Sequence, residues 1–388
     1  MDKIKKTIAD TFLELAEGLE TGRFGGAASV ALMGVGSEHG EETTMRAAQD
    51  AAAKGIKVIF IGETEAPEGS GVETVKATCQ DEAFHIMEDL LKTGKADAAV
   101  TMHYPFPIGV STVGLSIAPG SGKPFFLATT TGTSSTERVE GMILNTISGI
   151  ATAKAYGIEN PTVGLLNLDG IRQVEIALNT LKKNGYAFEF AESARADGGC
   201  VMRGNDVLLG TPDVMVCDTL TGNVITKMLS AGYTGGHVET VGYGYGPGVG
   251  EGYDQIVHIV SRASGAPLIA NAIEYAAKMA QGDLIKKVHA EYKAAHAAGL
   301  RELLDERKAK ASASAPAEED VKVPEKEVAT GGILGVDVLD LEDATKALWK
   351  LGIYAESGMG CTGPVIKVND AKLASAHKAL VEAGYLSE

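Results

Sequence analysis

Gly358-Met359-Gly360-Cys361-Thr362-Gly363-Pro364 sets one thiol among three glycines, in a chain that uses cysteine four times. Glycine reaches φ > 0 and lets a backbone or ligand come close, so the stretch predicts a tight turn. A thiol presented on a turn between packed elements is placed as a nucleophile would be, able to accept an acyl group and release it again. A half-buried thiol without chemistry would fit the same placement, because reactivity depends on the surroundings of the sulfur.

Three other clusters carry residue types that hold anions. Thr131 and Ser134 follow an apolar run, and Thr221, Gly222 and Asn223 follow another, with Lys227 one turn further on. If each run is a strand leading into a helix, free N–H groups and the helix dipole would meet a phosphate there. Plain turn and N-cap chemistry uses the same residues, so that reading stays open beside the first. Ser261-Arg262-Ala263-Ser264 puts a guanidinium between hydroxyls just before a helix start near Pro267, a pattern suited to bidentate phosphate binding and equally to a surface ion pair. His39 and His103 fall at predicted strand ends, as bases or as polar wall residues. Cys217 ends an apolar run and reads as a small core residue, whereas Cys79 and Cys200 have no evident partner. Gly34-x-Gly36 lacks the third glycine of a dinucleotide fingerprint.

The elements that must position these groups alternate. Ser29–Met33, Ile56–Ile61, Ala98–Met102, Phe125–Thr129, Thr162–Leu166 and Val214–Cys217 read as short buried strands. Helical patterns over Thr43–Lys54, Glu82–Thr93, Gln173–Lys183 and from Asn223 to Leu229 separate them. The expected fold is α/β, a doubly wound and mostly parallel sheet with ligands beyond the C-terminal strand ends. Residues 2–20 read as an amphipathic helix, Tyr243–Gly252 as a glycine-dense functional loop or flap, and Asp283–Lys310 as one long charged helix. Residues 311–329 have linker composition. They separate a domain over residues 1–310 from a small α/β module over 330–388. In that module, a helix over Leu341–Leu351, a strand over Val365–Val368 and a helix capped by Asn369 and running to about Ala383 surround the thiol.

With 35 basic and 51 acidic residues the chain carries a formal charge of −16, which argues against nucleic acid or an anionic membrane as partner. The four cysteines form no C-x-x-C pair, so neither a zinc site nor a disulfide framework is suggested. No apolar run reaches membrane-spanning length and no signal peptide is evident, so a cytoplasmic protein with reduced thiols is expected.

Residues 25–300 resemble the fold shared by phosphate acetyltransferases and PlsX-type acyl-phosphate transacylases. Asp218-Thr219-Leu220-Thr221-Gly222-Asn223-Val224 is similar to the strand-end motif of that superfamily. Ser261-Arg262-Ala263-Ser264, preceded by Gly246-Pro247 and Asp254, is similar to its serine–arginine–glycine segment, with Ala263 in place of the glycine. The resemblance implies that Ser261 and Arg262 line an acyl-phosphate site. Over essentially its whole length, linker and Cys361 module included, the chain resembles the alpha subunits of component C of the glycine/sarcosine/betaine reductase system. That resemblance implies an acetyltransferase in which Cys361 carries acetyl as a thioester and passes it to phosphate, giving acetyl phosphate. It further implies a ketoacyl-synthase-like beta subunit and the selenoprotein component A as partners in a hetero-oligomer, with no metal or organic cofactor. In that chemistry Arg262 and the amides of Thr221–Asn223 would hold phosphate, and amides of Gly360, Thr362 and Gly363 would stabilise the oxyanion. Direct acyl transfer of the PlsX kind, a coenzyme A-dependent phosphate acetyltransferase, and a non-catalytic scaffold are the alternatives.

Overall fold

The computed structural model describes Phe12 and residues 28–196, 198–314, 321–336, 340–360 and 363–386. The helix expected at residues 2–20, apart from Phe12, lies outside these, as do Cys361, Thr362 and residues 315–320 of the expected linker. The chain forms two compact units, Met1–Leu303 and Leu304–Glu388.

The first unit is built on a twelve-stranded mixed sheet. One parallel block contains β1 (Ser29–Met33), β2 (Lys57–Gly62), β3 (Val72–Lys76), β4 (Ala98–Thr101) and β12 (Val257–Ile259). A second contains β6 (Pro124–Thr133), β10 (Val214–Val216), β7 (Thr162–Leu166), β8 (Glu189–Phe190) and β9 (Val201–Met202). Between the blocks lie β11 (Gly246–Val249) and β5 (Val110–Ile117), and the three pairings β12–β11, β11–β5 and β5–β6 are all antiparallel. Strands such as Val-Ala-Leu-Met of β1 are continuous apolar runs because helices cover both faces of the parallel blocks.

The helices are α1 (Glu41–Ala52), α2 (Gln80–Lys92), α3 (Arg138–Tyr156), α4 (Ile171–Lys183), α5 (Gly204–Leu209), α6 (Thr219–Ala231), α7 (Ala266–Gln281), α8 (Leu284–Ala297) and α9 (Leu300–Ser314). Along α3 most residues are buried, including Thr146, Ser148 and Thr152. All three hydroxyls are bonded, Thr146 Oγ1 donating to the Met142 carbonyl, Thr152 Oγ1 to the Ser148 carbonyl and Ser148 Oγ lying 3.1 Å from the Tyr292 hydroxyl, so a polar face is carried into the core.

Three expectations need correcting. Tyr243–Gly252 is not one continuous loop or flap: Gly246–Val249 within it is an interior strand, and the Tyr245 amide donates to the Ile259 carbonyl. Its glycines answer close packing. Gly246 sits at φ 85°, and a Cβ there would lie 1.8 Å from the Val113 carbonyl oxygen. The helix expected over Asp283–Lys310 is two helices, broken at Gly299, whose φ of 93° ends α8 and starts α9. The strand expected at Phe125–Thr129 continues to Thr133, because β5, whose alternation the apolar-run reading passed over, pairs with it out to Val110↔Thr133.

The second unit contains β13 (Gly331–Leu334), α10 (Leu341–Lys350), β14 (Ala355–Gly360), β15 (Gly363–Val368) and α11 (Leu373–Glu382). Its strands form an antiparallel sheet in the order β13-β15-β14. Ile333, Ala344, Leu348, Ile366, Val368, Ala376 and Leu380 make its core, a separate apolar cluster that lets the unit hold its own shape. Asn369 caps the chain after β15, its side chain accepting from the Ala371 amide at 3.0 Å.

Candidate functional site

Sheet direction decides which candidate residues meet. Because three successive antiparallel pairings separate β12 from β6, the two parallel blocks run in opposite senses. The C-terminal ends of β1, β4 and β12 therefore share one edge of the sheet, and those of β6 and β10 share the other. Ser261 and Arg262 belong to the first edge; Thr131, Ser134 and Thr221–Asn223 belong to the second.

At the first edge, β12 runs through Val260 into Ser261–Ser264, and α7 begins two residues later. The loop is held by its own hydroxyls: the Ser261 amide donates to Ser264 Oγ at 3.0 Å and the Ala263 amide to Ser261 Oγ at 3.2 Å. The turn after β1 closes on it. The Glu38 amide donates to the Arg262 carbonyl at 2.9 Å, and His39 Nε2 lies 3.2 Å from the Ala263 carbonyl. The Arg262 side chain is exposed and has no ion-pair partner among the described residues. A fixed backbone with a free guanidinium is what bidentate oxyanion binding requires. His103 is exposed just beyond β4 at the same edge.

Behind this loop lies a group that the sequence reading missed. Glu239 is buried and forms an isolated bridge with Ser264, its amide donating to the Ala263 carbonyl at 2.9 Å. Its Oε1 accepts from the Tyr245 hydroxyl at 3.1 Å and lies 3.6 Å from Lys227 Nζ, whereas Oε2 has no partner among the described residues. Burial first and then the Glu239 charge push the Tyr245 phenol far above its ordinary range, so it stays a donor to Glu239. Glu239 lies four residues before the stretch read as a functional loop, and no local pattern marks it out. Lys227, expected beside Thr221–Asn223 at a phosphate site, is instead about 12 Å along α6 from its start and belongs with Glu239.

The second edge is a structural junction. Thr221 and Gly222 amides are already taken: they donate to the Asp218 carboxylate at 2.7 Å and to the Asp218 carbonyl at 3.0 Å. Asp218 also pairs with Arg138. Burial alone would raise its carboxyl, but the Thr221 bonds and the Arg138 guanidinium together hold it below the usual range. An anionic cap thus occupies the helix end where a phosphate was expected. Gly222 serves packing, since a Cβ would lie 1.7 Å from the Thr129 carbonyl oxygen. The Asn223 side chain donates to the Thr130 carbonyl at 3.1 Å. Ser134 is buried and donates to Asn145 Oδ1 at 2.5 Å, and Thr131 lends its carbonyl to the Thr129 hydroxyl at 3.1 Å. These bonds join α6 and α3 to β6.

In the second unit the stretch read as a turn is strand at both of its ends, and Cys361 and Thr362 between them lie outside the described residues. Gly358, Met359 and Gly360 belong to β14 and pair with Val365, Pro364 and Gly363 of β15, so only Cys361 and Thr362 intervene between the paired strand ends. Of the other thiols, burial and then Asp218 push Cys217 up to about 12, and burial and then Glu175 push Cys200 up to about 11. Both stay protonated near neutral pH and are poor nucleophiles. Cys79 is exposed at the start of α2.

The family described as "Fatty acid synthesis protein" matches residues 28–367. The glycine/sarcosine/betaine reductase complex component C subunit alpha of Peptoclostridium acidaminophilum is 54% identical over 389 aligned residues, covering 100% of both chains. A phosphate acyltransferase of Thermotoga neapolitana is 28% identical over 201 residues, covering 45% of this chain and 60% of that one. The structure of a branched-chain phosphotransacylase from Enterococcus faecalis V583 superposes with a TM-score of 0.46 at 16% identity, covering 65% of this chain and 99% of that one. The chain belongs to the fatty acid synthesis protein family, in the line of the component C alpha subunits of glycine/sarcosine/betaine reductase complexes.

Proposed function

We propose that the chain is an acyltransferase subunit of a glycine-reductase-type complex, taking acetyl as a thioester on Cys361 and delivering it to inorganic phosphate. The observation that carries this reading is the match to a component C alpha subunit along the whole chain, Cys361 unit included, where the phosphate acyltransferase covers less than half. The reaction uses no cofactor beyond its phosphate substrate. A phosphate oxygen attacks the thioester carbonyl, the oxyanion collapses, the C–S bond breaks, and acetyl phosphate leaves while the thiolate takes back the electron pair. Arg262, with the Ser261 hydroxyl, holds the phosphate and screens its charge; backbone amides of Gly360, Thr362 and Gly363 are the oxyanion donors. His39 and His103, at the same edge as Arg262, are candidate bases. The acetyl donor side is a ketoacyl-synthase-like beta subunit fed by selenoprotein component A.

The test is arsenate-dependent hydrolysis of acetyl phosphate by the purified chain, beside Cys361→Ser, with intact-mass analysis. Arsenate replaces phosphate and its acetyl ester falls apart in water, so turnover reports both half-reactions. Turnover and an acetyl adduct in the native chain, both lost in Cys361→Ser, support the carrier role. Turnover that survives the substitution would transfer the reading to direct, PlsX-like chemistry, and none in either chain would favour a scaffold.

A further inference from the structure

Between helix α6 and the Ser261–Ser264 loop runs a short segment, Glu239–Val241, that is bonded to both. On one side the Thr240 and Val241 amides donate to the Ser230 carbonyl, near the end of α6, at 2.9 and 3.3 Å. On the other, the Glu239 amide donates to the Ala263 carbonyl and the Gly265 amide to the Glu239 carbonyl, each at 2.9 Å. Glu239 and Ser264 form a parallel bridge, which sets their backbones about 5 Å apart. Carboxylate and loop therefore share one rigid support. Lys227, the one cation of α6, lies a turn before Ser230 and meets them there.

The Glu239 side chain is costly where it stands. It is 1% exposed, one oxygen takes the Tyr245 hydroxyl, and the other has no partner among the described residues. A carboxylate buried in this way adds little stability, even with a cation nearby. Nor does it use up the cation. Lys227 Nζ stands 3.6 Å from Oε1, beyond hydrogen-bonding distance, and its side chain is 56% exposed. Glu239 is its one ion-pair partner among the described residues, so its N–H donors are left for another oxyanion.

We infer that Glu239 is a positioning residue: its buried carboxylate holds the Lys227 ammonium at the Ser261–Ser264 loop, where Lys227 serves beside Arg262 as second cation for the phosphate oxyanion. The inference rests on the reading of that loop as the phosphate site. Inorganic phosphate is partly a dianion near neutral pH, and a chain of charge −16 opposes its approach, so one guanidinium leaves charge unmatched. The two cations differ in kind. Arg262 offers a planar fork from a loop, and Lys227 a point charge from a helix, held from behind by a carboxylate that substrate does not reach. Without Glu239 the lysine side chain would sample many rotamers, and ordering it on binding would weaken the hold on phosphate.

The test measures inorganic phosphate binding by isothermal titration calorimetry, and arsenolysis of acetyl phosphate over a range of arsenate, on the full chain. Lys227→Met is expected to raise the phosphate Kd and the arsenate KM about tenfold with kcat within about threefold, the mark of lost ground-state binding. Lys227→Arg is expected to recover part of this. Glu239→Gln is expected to raise both constants about fivefold, and so is Glu239→Asp, which keeps the charge but draws it back by one methylene. The Glu239→Gln/Lys227→Met variant is expected to match Lys227→Met within about twofold, because Glu239 acts through Lys227. Unchanged far-UV circular dichroism shows that the variants fold. A carboxylate that merely opposed the anion would give the reverse sign, so tighter phosphate binding in Glu239→Gln overturns the inference. A double variant as weak as the product of the two single effects does the same. Binding lost in Arg262→Ala but intact in Lys227→Met overturns it and leaves the loop reading standing. No phosphate bound by the native chain, or none lost in Arg262→Ala, removes the loop reading and this inference with it.

Discussion

Replacing His258 by leucine should make the protein markedly less sensitive to acid. His258 is fully buried on β12, both ring nitrogens lack partners among the described residues, and its ring stands edge-on to Tyr275 with centroids 4.8 Å apart. Burial lowers its pKa from 6.5 to about 3. The folded protein keeps the ring neutral, and the unfolded chain protonates it below about pH 6.5. Between those values the unfolded state binds the extra proton, so stability is fully present above about pH 6.5 and declines as pH falls toward 3. Each pH unit is worth about 1.36 kcal/mol, so native stability at pH 5 should fall by about 2 kcal/mol from this residue alone. His258→Leu nearly conserves volume and removes two unbonded nitrogens, so at pH 7.5 it should lie within about 1.5 kcal/mol of the native protein. At pH 5 the variant should gain about 2 kcal/mol relative to that difference. Urea midpoints followed by far-UV circular dichroism at both pH values measure it. Parallel loss of stability in the two proteins would refute the reasoning and mean that solvent or a partner reaches the imidazole. The position matters for function because His258 is three residues before Ser261 on the strand that sets the candidate phosphate loop.

Gly222→Ala should destabilise the first unit by at least about 2 kcal/mol in thermal melts, because the new methyl meets the Thr129 backbone and lifts α6 from β6. Asp218→Ala should cost about 1 kcal/mol by loss of the N-cap, read the same way, with little change in the phosphate dependence of turnover. Arg262→Ala should reduce arsenolysis of acetyl phosphate at least about 100-fold, and Arg262→Lys should restore only part of it, since a point charge lacks the bidentate fork. Thr221→Ala should leave the same rate within about threefold, because its amide serves the cap and its hydroxyl lies at the other edge of the sheet; a loss matching Arg262→Ala would restore Thr221 to the phosphate site.

Local pattern carried much of the fold. Ser29–Met33 and Thr162–Leu166 are strands at the bounds their apolar runs predict, and Leu341–Lys350 and the Asn369 cap follow from periodicity and capping alone. These are decided by neighbours a few residues apart. The Ser261–Ser264 loop was legible for the same reason, as hydroxyls around an arginine before a helix start. Strand order and direction were not, because the antiparallel insertion of β5 and β11 depends on the pairing of those two strands, more than a hundred residues apart in sequence. That insertion turns the two parallel blocks against each other. It separates Arg262 from Thr221–Asn223 and brings Lys227 and Glu239 to the loop instead. It also converts the glycines of Tyr243–Gly252 from a supposed flap into the spacing of an interior strand. Residue types thus determine which chemistry is available and which segments are helix or strand. Which of those residues share an edge is set by backbone pairing across the sheet, and there a single reversal of strand direction moves a side chain from one side of the molecule to the other.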